Sequence, residues 1–240
     1  MAHGSMIAAL DTERIWGWKT PAGQVRAKRR AEWIVASANL GSGRKVLEIG
    51  CGTGMFTEVF AETGARIVAV DISSDLIEKA VSRGLPADRV VFLRKRFEDC
   101  DIDGPFDAVI GSSVLHHLDL EGALAKIYEL LKPGGIMSFA EPNMMNPQIM
   151  VQKNIPFIKA RMGDSHDETA FFRWRLRTRL LKAGLEDVEI TPCDWLHPAT
   201  PVSMIHAVVN AGEILERLPI IREFAGSLYI RCRRPRQEQR

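Results

Sequence analysis

The feature that most constrains this 240-residue chain is a short apolar run ending in three alternating glycines, Val46-Leu47-Glu48-Ile49-Gly50-Cys51-Gly52-Thr53-Gly54. The residues after it, from Met55 to Phe60, have helical apolar spacing, so the glycines stand between a predicted buried strand and a predicted helix. Glycine accepts positive φ and carries no Cβ, so a ligand can lie directly against the backbone of such a turn. The junction therefore predicts a ligand site at the end of a strand.

The spacing of these glycines distinguishes between kinds of nucleotide ligand. A dinucleotide fingerprint would place glycines at positions 50, 52 and 55, but position 55 is Met and the third glycine is Gly54. This spacing argues against NAD or FAD.

Apolar runs of strand length alternate with helical patterns through the middle of the chain. Strands are predicted at 46–49, 66–70, 90–93, 106–110 and 136–140. Consecutive apolar strands joined by helices form a parallel sheet covered on both faces. Ligands bind such sheets outside the carboxyl ends of the strands, so we expect the residues just after each strand to form the site.

The remaining segments follow other patterns. A helix is predicted over 25–38, and residues 141–164 lack a helical period and contain three prolines, which predicts an irregular cover. A helix over 168–183 and strands at 188–190 and 227–230 complete the chain, with an inserted helix whose apolar stripe is Val202, Ile205, Val209 and Leu215. We predict a single domain over 1–240: a helical cap at 1–42, a cofactor-binding core at 43–141, a cover at 142–187, and terminal strands with a helical insertion at 188–240.

Composition excludes several classes of protein. Hydrophobic residues make up 46% of the chain and charged residues 26%, as in a globular domain rather than a disordered one. No apolar run is long enough to span a membrane, and the four cysteines have no metal or redox spacing, so we expect a cytoplasmic protein without a metal. A net charge of +2 and a pI near 8.4 argue against nucleic acid as a partner, and the basic cluster at 26–30 is interpreted as a solvated face.

Four residues of the glycine run, Glu48, Gly50, Gly52 and Gly54, resemble the first motif of the class I S-adenosylmethionine-dependent methyltransferases. The stretches Val70–Ser73, Phe106–Leu118 and Leu130–Gly135 are similar to later motifs of that family, so the resemblance covers about residues 43–141. It implies an α/β fold with a doubly wound, mostly parallel seven-stranded sheet, helices on both faces and helical cover insertions. It also implies S-adenosylmethionine as the cofactor.

Carried over residue by residue, the resemblance predicts the cofactor contacts Glu48, Gly50, Cys51, Gly52, Gly54, Asp71, Ile72, Phe97 and Ser112. The Asp71 carboxylate can accept hydrogen bonds from both ribose hydroxyls. Arg96 stands where the family often has an Asp that holds the adenine. Glu98 or Asp99 is then a candidate for the adenine amino group, and Phe97 is expected to contribute its backbone.

The implied reaction is in-line transfer of a methyl group from the sulfonium to a nucleophilic atom, with a base where that atom carries a proton. His117 and then His116, in the loop after the fourth strand, are the candidate bases, unless one of them caps or packs. Glu141 is a third catalytic candidate and Asn143 a substrate contact. The alternative is that these two side chains satisfy turn backbone before Pro142.

The acceptor is predicted to be a small or amphipathic organic molecule, methylated on O, N or C by a monomer or homodimer. Two insertions, 142–156 and 202–215, are expected to fold over the methyl group, with Met144, Met145 and Met150 filling an apolar pocket. Alternatively, these residues pack on the sheet or form a dimer contact. An RNA or protein methyltransferase and a catalytically silent S-adenosylmethionine-binding protein are the competing functions.

Overall fold

A computed structural model describes Glu13, residues 17–155 and residues 170–236. Within these ranges one sheet has the strand order β3-β2-β1-β4-β5-β7-β6. The strands are β1 Lys45–Ile49, β2 Arg66–Asp71, β3 Val90–Arg94, β4 Phe106–Ser112, β5 Leu131–Pro142, β6 Glu186–Cys193 and β7 Ser227–Arg233. The α-helices are α1 Pro21–Ser37, α2 Met55–Glu62, α3 Ser74–Val81, α4 Leu120–Leu130, α5 Pro147–Asn154, α6 Arg173–Lys182 and α7 Ile205–Arg217.

The sheet is parallel from β3 to β5, and β7 pairs antiparallel with both β5 and β6. The chain reverses its direction of winding between β1 and β4, where Ile49 pairs with Gly111. This topological switch brings the glycine turn after β1 and Ser112 at the end of β4 to the same edge of the sheet. The predicted doubly wound, seven-stranded fold is confirmed.

Helices cover both faces of the sheet. On one face α1 and α2 bury Ile34 and Phe60, and on the other α4 and α6 bury Leu124 and Leu176. Each of these four side chains is at most 1% exposed, and burial of one such side chain stabilises the fold by about 1.5–3 kcal/mol. The central strands are therefore enclosed, and only the edge where they end remains available for a ligand.

Capping residues explain where several helices differ from the prediction. Helix α1 begins at Pro21 rather than at 25, because Thr20 accepts a hydrogen bond from the N–H of Gly23 and proline fits the first helical position. Proline also starts α5, after the Asn146 cap, within the segment predicted to be irregular. Helix α6 begins at Arg173, later than predicted, and positions 168–169 lie outside the described residues.

The predicted stripe on the inserted helix is only partly buried. Ile205, Val209 and Leu215 are half-buried, whereas Val202 lies before α7 and is 69% exposed. In the part of the chain that the structure describes, no helix combines the length and the apolar character needed to cross a bilayer.

Candidate active site

The turn after β1 requires glycine at specific positions. Gly50, Gly52 and Gly54 have φ of 69°, 54° and 74°, values that residues with a Cβ rarely adopt. A Cβ on Gly50 would also lie 2.5 Å from Cγ2 of Val114. The N–H groups of Gly50 and Cys51 donate to the carbonyl of Val70 at 2.8 and 3.1 Å, which ties the turn to β2. The result is a fixed stretch of bare backbone at the carboxyl edge of the sheet.

Asp71, the last residue of β2, faces this turn. Its Oδ2 accepts the N–H of Gly52 at 2.8 Å, and its Oδ1 accepts the N–H of Ser73 at 2.9 Å. Burial raises the pKa of Asp71 above its ordinary value, while these N–H groups act in the opposite direction. Each carboxylate oxygen can accept a second hydrogen bond, so Asp71 retains acceptor capacity for a pair of hydroxyls. The neighbouring Ile72 side chain is 60% exposed at the same edge.

Glu48 lies beneath the turn and is 3% exposed. Burial raises its pKa to about 8; the Thr57 hydroxyl acts in the opposite direction, and the charge of Asp71 adds to the rise. Its Oε2 has no hydrogen-bond partner among the described residues. An unpartnered buried carboxyl oxygen is unfavourable by itself, so Glu48 fits a site completed by a ligand with donor groups or positive charge.

The loop after β3 carries the predicted adenine contacts. Phe97 is 3% exposed and begins a short 3₁₀ helix, Phe97–Asp99, so its ring belongs to the core. The Arg96 guanidinium lies 3.4 Å from a carboxylate oxygen of Glu98 and 3.6 Å from one of Asp99. Both acids proposed for the adenine amino group therefore have a partner in Arg96.

Glu141 occupies a different position from the one its sequence context suggested. Its side chain is fully buried, Oε1 accepts the N–H groups of Val114 and Leu115 at 2.9 Å each, and Oε2 lies 2.7 Å from Nδ1 of His116. Burial acts to raise its pKa, but the hydrogen bond and charge of His116 and the two N–H groups together hold that pKa below its ordinary value. With no exposed surface and both oxygens occupied, Glu141 holds the loop after β4, which favours the structural alternative over the predicted catalytic contact.

The two neighbouring histidines have different surroundings. The His116 side chain is 6% exposed and its Nδ1 faces Glu141, which leaves Nε2 as the nitrogen for a further partner. His117 is exposed, and its charge acts to lower the pKa of Asp71, which places it toward the turn. The two rings lie 4.0 Å apart. Each therefore remains a candidate base.

The Asn143 side chain is buried and bonded to backbone groups. It is 1% exposed, and its Nδ2 donates to the carbonyls of Glu223 and Ala225 at 2.8 and 2.7 Å. Its Oδ1 accepts the N–H of Met145 at 3.1 Å. The geometry supports the alternative in which this side chain satisfies backbone groups, here those that join β5 to the segment before β7.

Sequence reasoning missed a buried basic cluster beside the site. Arg30, interpreted as part of a solvated face, is 3% exposed. It donates to the hydroxyls of Ser112, Ser113 and Ser227 at 3.1, 3.0 and 2.8 Å. Positions 22, 26, 30 and 34 form one line of a helix, and the apolar residues Ala22 and Ile34 on that line were the sequence signal that could have found it.

An apolar cavity of about 480 Å³ opens beside the end of β5. Its lining residues are Met144, Met150, Val151, Asn154, Ile155 and Phe172. Two of the three predicted methionines are present, but Met145 and the α7 stripe do not contribute. Phe172, the residue before α6, takes their place.

The switch-point glycine turn, the acid ending β2 and the sheet with one antiparallel strand define a Rossmann-like protein that binds a nucleoside-containing cofactor. The family model described as "Methyltransferase domain" matches residues 47–137. Over these residues the chain is similar to a methyltransferase domain, in agreement with the class I S-adenosylmethionine-dependent methyltransferase family, the enzyme class and the cofactor expected from the sequence.

A curated relative agrees with this assignment, and solved structures share the fold. The ubiquinone biosynthesis O-methyltransferase of Methylococcus capsulatus is 27% identical over 73% of this chain and 81% of its own length. The chain spans about half the length of several other curated relatives. A chain of the complex between the Haloferax volcanii Trm112 methyltransferase activator and a methyltransferase has a TM-score of 0.72 at 21% identity, with 97% of each chain covered. The N-methyltransferase NodS of Bradyrhizobium japonicum has a TM-score of 0.65 at 19% identity, with 97% of this chain and 96% of NodS covered.

Proposed function

We propose that this enzyme transfers the methyl group of S-adenosylmethionine to an O, N or C atom of a small or amphipathic organic acceptor. The observation that carries the acceptor class is the apolar cavity of about 480 Å³ next to the end of β5, at the same sheet edge as the glycine turn. Binding sites for small organic ligands are concave and mostly apolar, and their volumes are similar to that of this cavity. All four cysteines are free, buried thiols, which is compatible with a reducing cytoplasm.

The residues present fit the cofactor. The bare backbone of Gly50–Gly54 admits close approach, Asp71 has acceptor capacity for the two ribose hydroxyls, and Glu48 has an unpartnered oxygen beside the turn. When bound, the cofactor supplies a methyl group already activated by a sulfonium, so the protein has to align the acceptor, exclude water and remove any proton.

His116 is the proposed base for an acceptor that carries a proton. Glu141 holds the ring through Nδ1, which fixes the proton on that nitrogen and leaves Nε2 unprotonated in the neutral ring. Nε2 then accepts the proton of an O–H or N–H nucleophile. The apolar side chains Met144, Met150 and Phe172 exclude water from the acceptor.

The acceptor class is tested with purified protein and methyl-labelled cofactor. The small-molecule, RNA and protein fractions of one cell extract are offered separately, and label is measured in each. We expect label in an organic small molecule and none in the macromolecular fractions. Asp88→Asn, a change at an exposed side chain on the opposite edge of the sheet, serves as the matched control and should keep full activity. Label confined to RNA or to folded protein would overturn the proposal.

A further inference from the structure

Helices α1 and α5 both approach the loop after β6. Thr20 Oγ1, at the start of α1, donates to the carbonyl of Pro198 at 2.7 Å, and Nε2 of His197 lies 2.8 Å from the amide of Gln148 on α5. Arg26 lies on α1, Gln148 on α5 and His197 in the loop after β6. We propose that Arg26, together with His197 and Gln148, forms a subsite for an anionic group of the methyl acceptor, a carboxylate or a phosphate. This inference rests on the proposed function and adds the charge of the acceptor to it.

The cluster around Arg26 contains more guanidinium groups than carboxylates among the residues that the structure describes. Arg29 forms a bidentate pair with Glu216, with one contact at 2.9 Å, and Arg30 lies 3.5 Å from Asp194. Both carboxylates of this cluster are thus engaged by neighbours of Arg26. Within the described ranges, Arg26 has no carboxylate at ion-pair distance, and its buried Nε has no hydrogen-bond partner. A buried cation that shares its counter-charges with two neighbouring guanidiniums is incompletely compensated, and a bound anion would supply the missing charge.

The Trp18 ring orients the Arg26 guanidinium. The carbon of its guanidinium lies 5.5 Å from the centre of the Trp18 ring, and that of Arg30 lies 5.1 Å from the same ring. Burial, and then the charge of Arg30, lower the pKa of Arg26 from its ordinary value, while the charge of Asp194 acts in the opposite direction. Stacking on an aromatic face is a common way to orient a guanidinium for a planar anion.

His197 and Gln148 pair with each other. Nδ1 of His197 accepts the N–H of Ala199 at 3.1 Å, so Nε2 carries the proton of the neutral ring; Nε2 lies 2.8 Å from the amide of Gln148, whose oxygen is the group able to accept that proton. Burial, and then the charge of Arg26, lower the pKa of His197. The Gln148 NH₂ group and the Arg26 guanidinium remain as the N–H donors of the three side chains.

The location of this subsite favours the acceptor over the cofactor. Arg26, Gln148 and His197 all lie outside the 47–137 segment that carries the cofactor motifs. Helix α5 supplies both Gln148 and the cavity-lining residues Met150 and Val151. An acceptor whose apolar part fills the cavity would therefore bring an anionic end to Arg26.

Calorimetry with three probes tests the subsite. Inorganic phosphate is titrated into protein saturated with S-adenosylhomocysteine, and S-adenosylhomocysteine and methylthioadenosine are titrated separately. Methylthioadenosine keeps the nucleoside but lacks the amino-acid carboxylate. The variant is Arg26→Gln, and the matched control is Arg66→Gln, an exposed arginine at the start of β2 on the opposite edge.

We expect the wild type and the control to bind phosphate, and Arg26→Gln to bind it at least about tenfold more weakly, since a charge-assisted contact is lost. S-adenosylhomocysteine should bind all three proteins with similar affinity. Undetectable phosphate binding by the wild type, or unchanged binding by Arg26→Gln, would overturn the subsite. If Arg26→Gln binds S-adenosylhomocysteine more weakly but methylthioadenosine with unchanged affinity, Arg26 contacts the amino-acid carboxylate of the cofactor. That result would also overturn the proposed subsite. A wild type that binds no S-adenosylhomocysteine would instead refute the proposed function.

Discussion

Oε2 of Glu141 lies 2.7 Å from Nδ1 of His116, and this contact joins the end of β5 to the loop after β4. The other oxygen of Glu141 accepts two N–H groups of that same loop. One buried carboxylate therefore fixes the backbone that carries the candidate bases and the orientation of one of their rings.

Replacement of Glu141 by glutamine should lower stability. The amide cannot accept all the hydrogen bonds that the carboxylate accepts, so we expect a loss of about 1–3 kcal/mol in the free energy of unfolding at neutral pH. The folded pKa of Glu141 lies below 4.5. Its contribution is therefore present above that pH and is lost as the pH falls through the folded pKa.

Urea unfolding at pH 7 and at pH 4 measures this difference. The gap between wild type and Glu141→Gln should narrow on acidification. Glu189→Gln, a change at a side chain that is 69% exposed, is the control and should leave stability nearly unchanged at both values. A gap that is equal at pH 7 and pH 4 would mean that the charge of Glu141 contributes nothing.

Removal of the base should change the dependence of rate on pH. If His116 accepts the proton, His116→Ala lowers turnover by about 10²–10⁴-fold with little change in cofactor affinity. The rise of the wild-type rate with pH should also disappear. His117→Ala is the matched comparison, because its ring lies 4.0 Å away and is exposed.

Rate–pH profiles of both variants, with the acceptor identified as above, decide between the histidines. A loss confined to His117→Ala would support the preference for His117 that the sequence suggested. Profiles that keep the wild-type shape in both variants would leave neither histidine as the base.

Asp71→Ala should weaken S-adenosylmethionine and S-adenosylhomocysteine alike. Two hydrogen bonds to a carboxylate are lost, each contributing roughly 1.5–3 kcal/mol. Calorimetry with both ligands gives the affinities, and Asp88→Asn again serves as the control. Because Asp71 also accepts the N–H groups of Gly52 and Ser73, circular dichroism must show that the variant is folded. Unchanged affinity in a folded Asp71→Ala protein would remove Asp71 from the cofactor site.

Glu48→Gln should stabilise the ligand-free protein at alkaline pH. The folded pKa of Glu48 is raised from 4.5 to about 8, so its favourable contribution is present below 4.5 and is lost as the pH rises through about 8. The wild type then loses on the order of 1.4 kcal/mol for each pH unit of that interval, and the neutral amide does not. Unfolding free energies at pH 5 and pH 9 should diverge between the two proteins. Parallel curves would show that Glu48 titrates normally in the folded protein.

Local patterns in the sequence were sufficient for the sheet and for the glycine turn. Alternating strands and helices, glycine at positions of positive φ, and an acid at the end of β2 all depend on neighbours a few residues apart. The exceptions were helix ends. Proline was interpreted as a breaker at Pro147, whereas the Asn146 cap makes it the first residue of α5.

Only the tertiary structure decided which polar residues are buried and what they contact. Arg30 and Lys28 look alike in sequence, yet Arg30 is 3% exposed and bonds to serines near both β4 and β7, while the Lys28 side chain is 77% exposed. Glu141 finds its partners 25 to 27 residues away, and Asn143 finds two of its partners about 80 residues away. A buried polar group must be paired. These partners are set by the packing of strands and helices that are distant in sequence, and the spacing of nearby residues does not predict that packing.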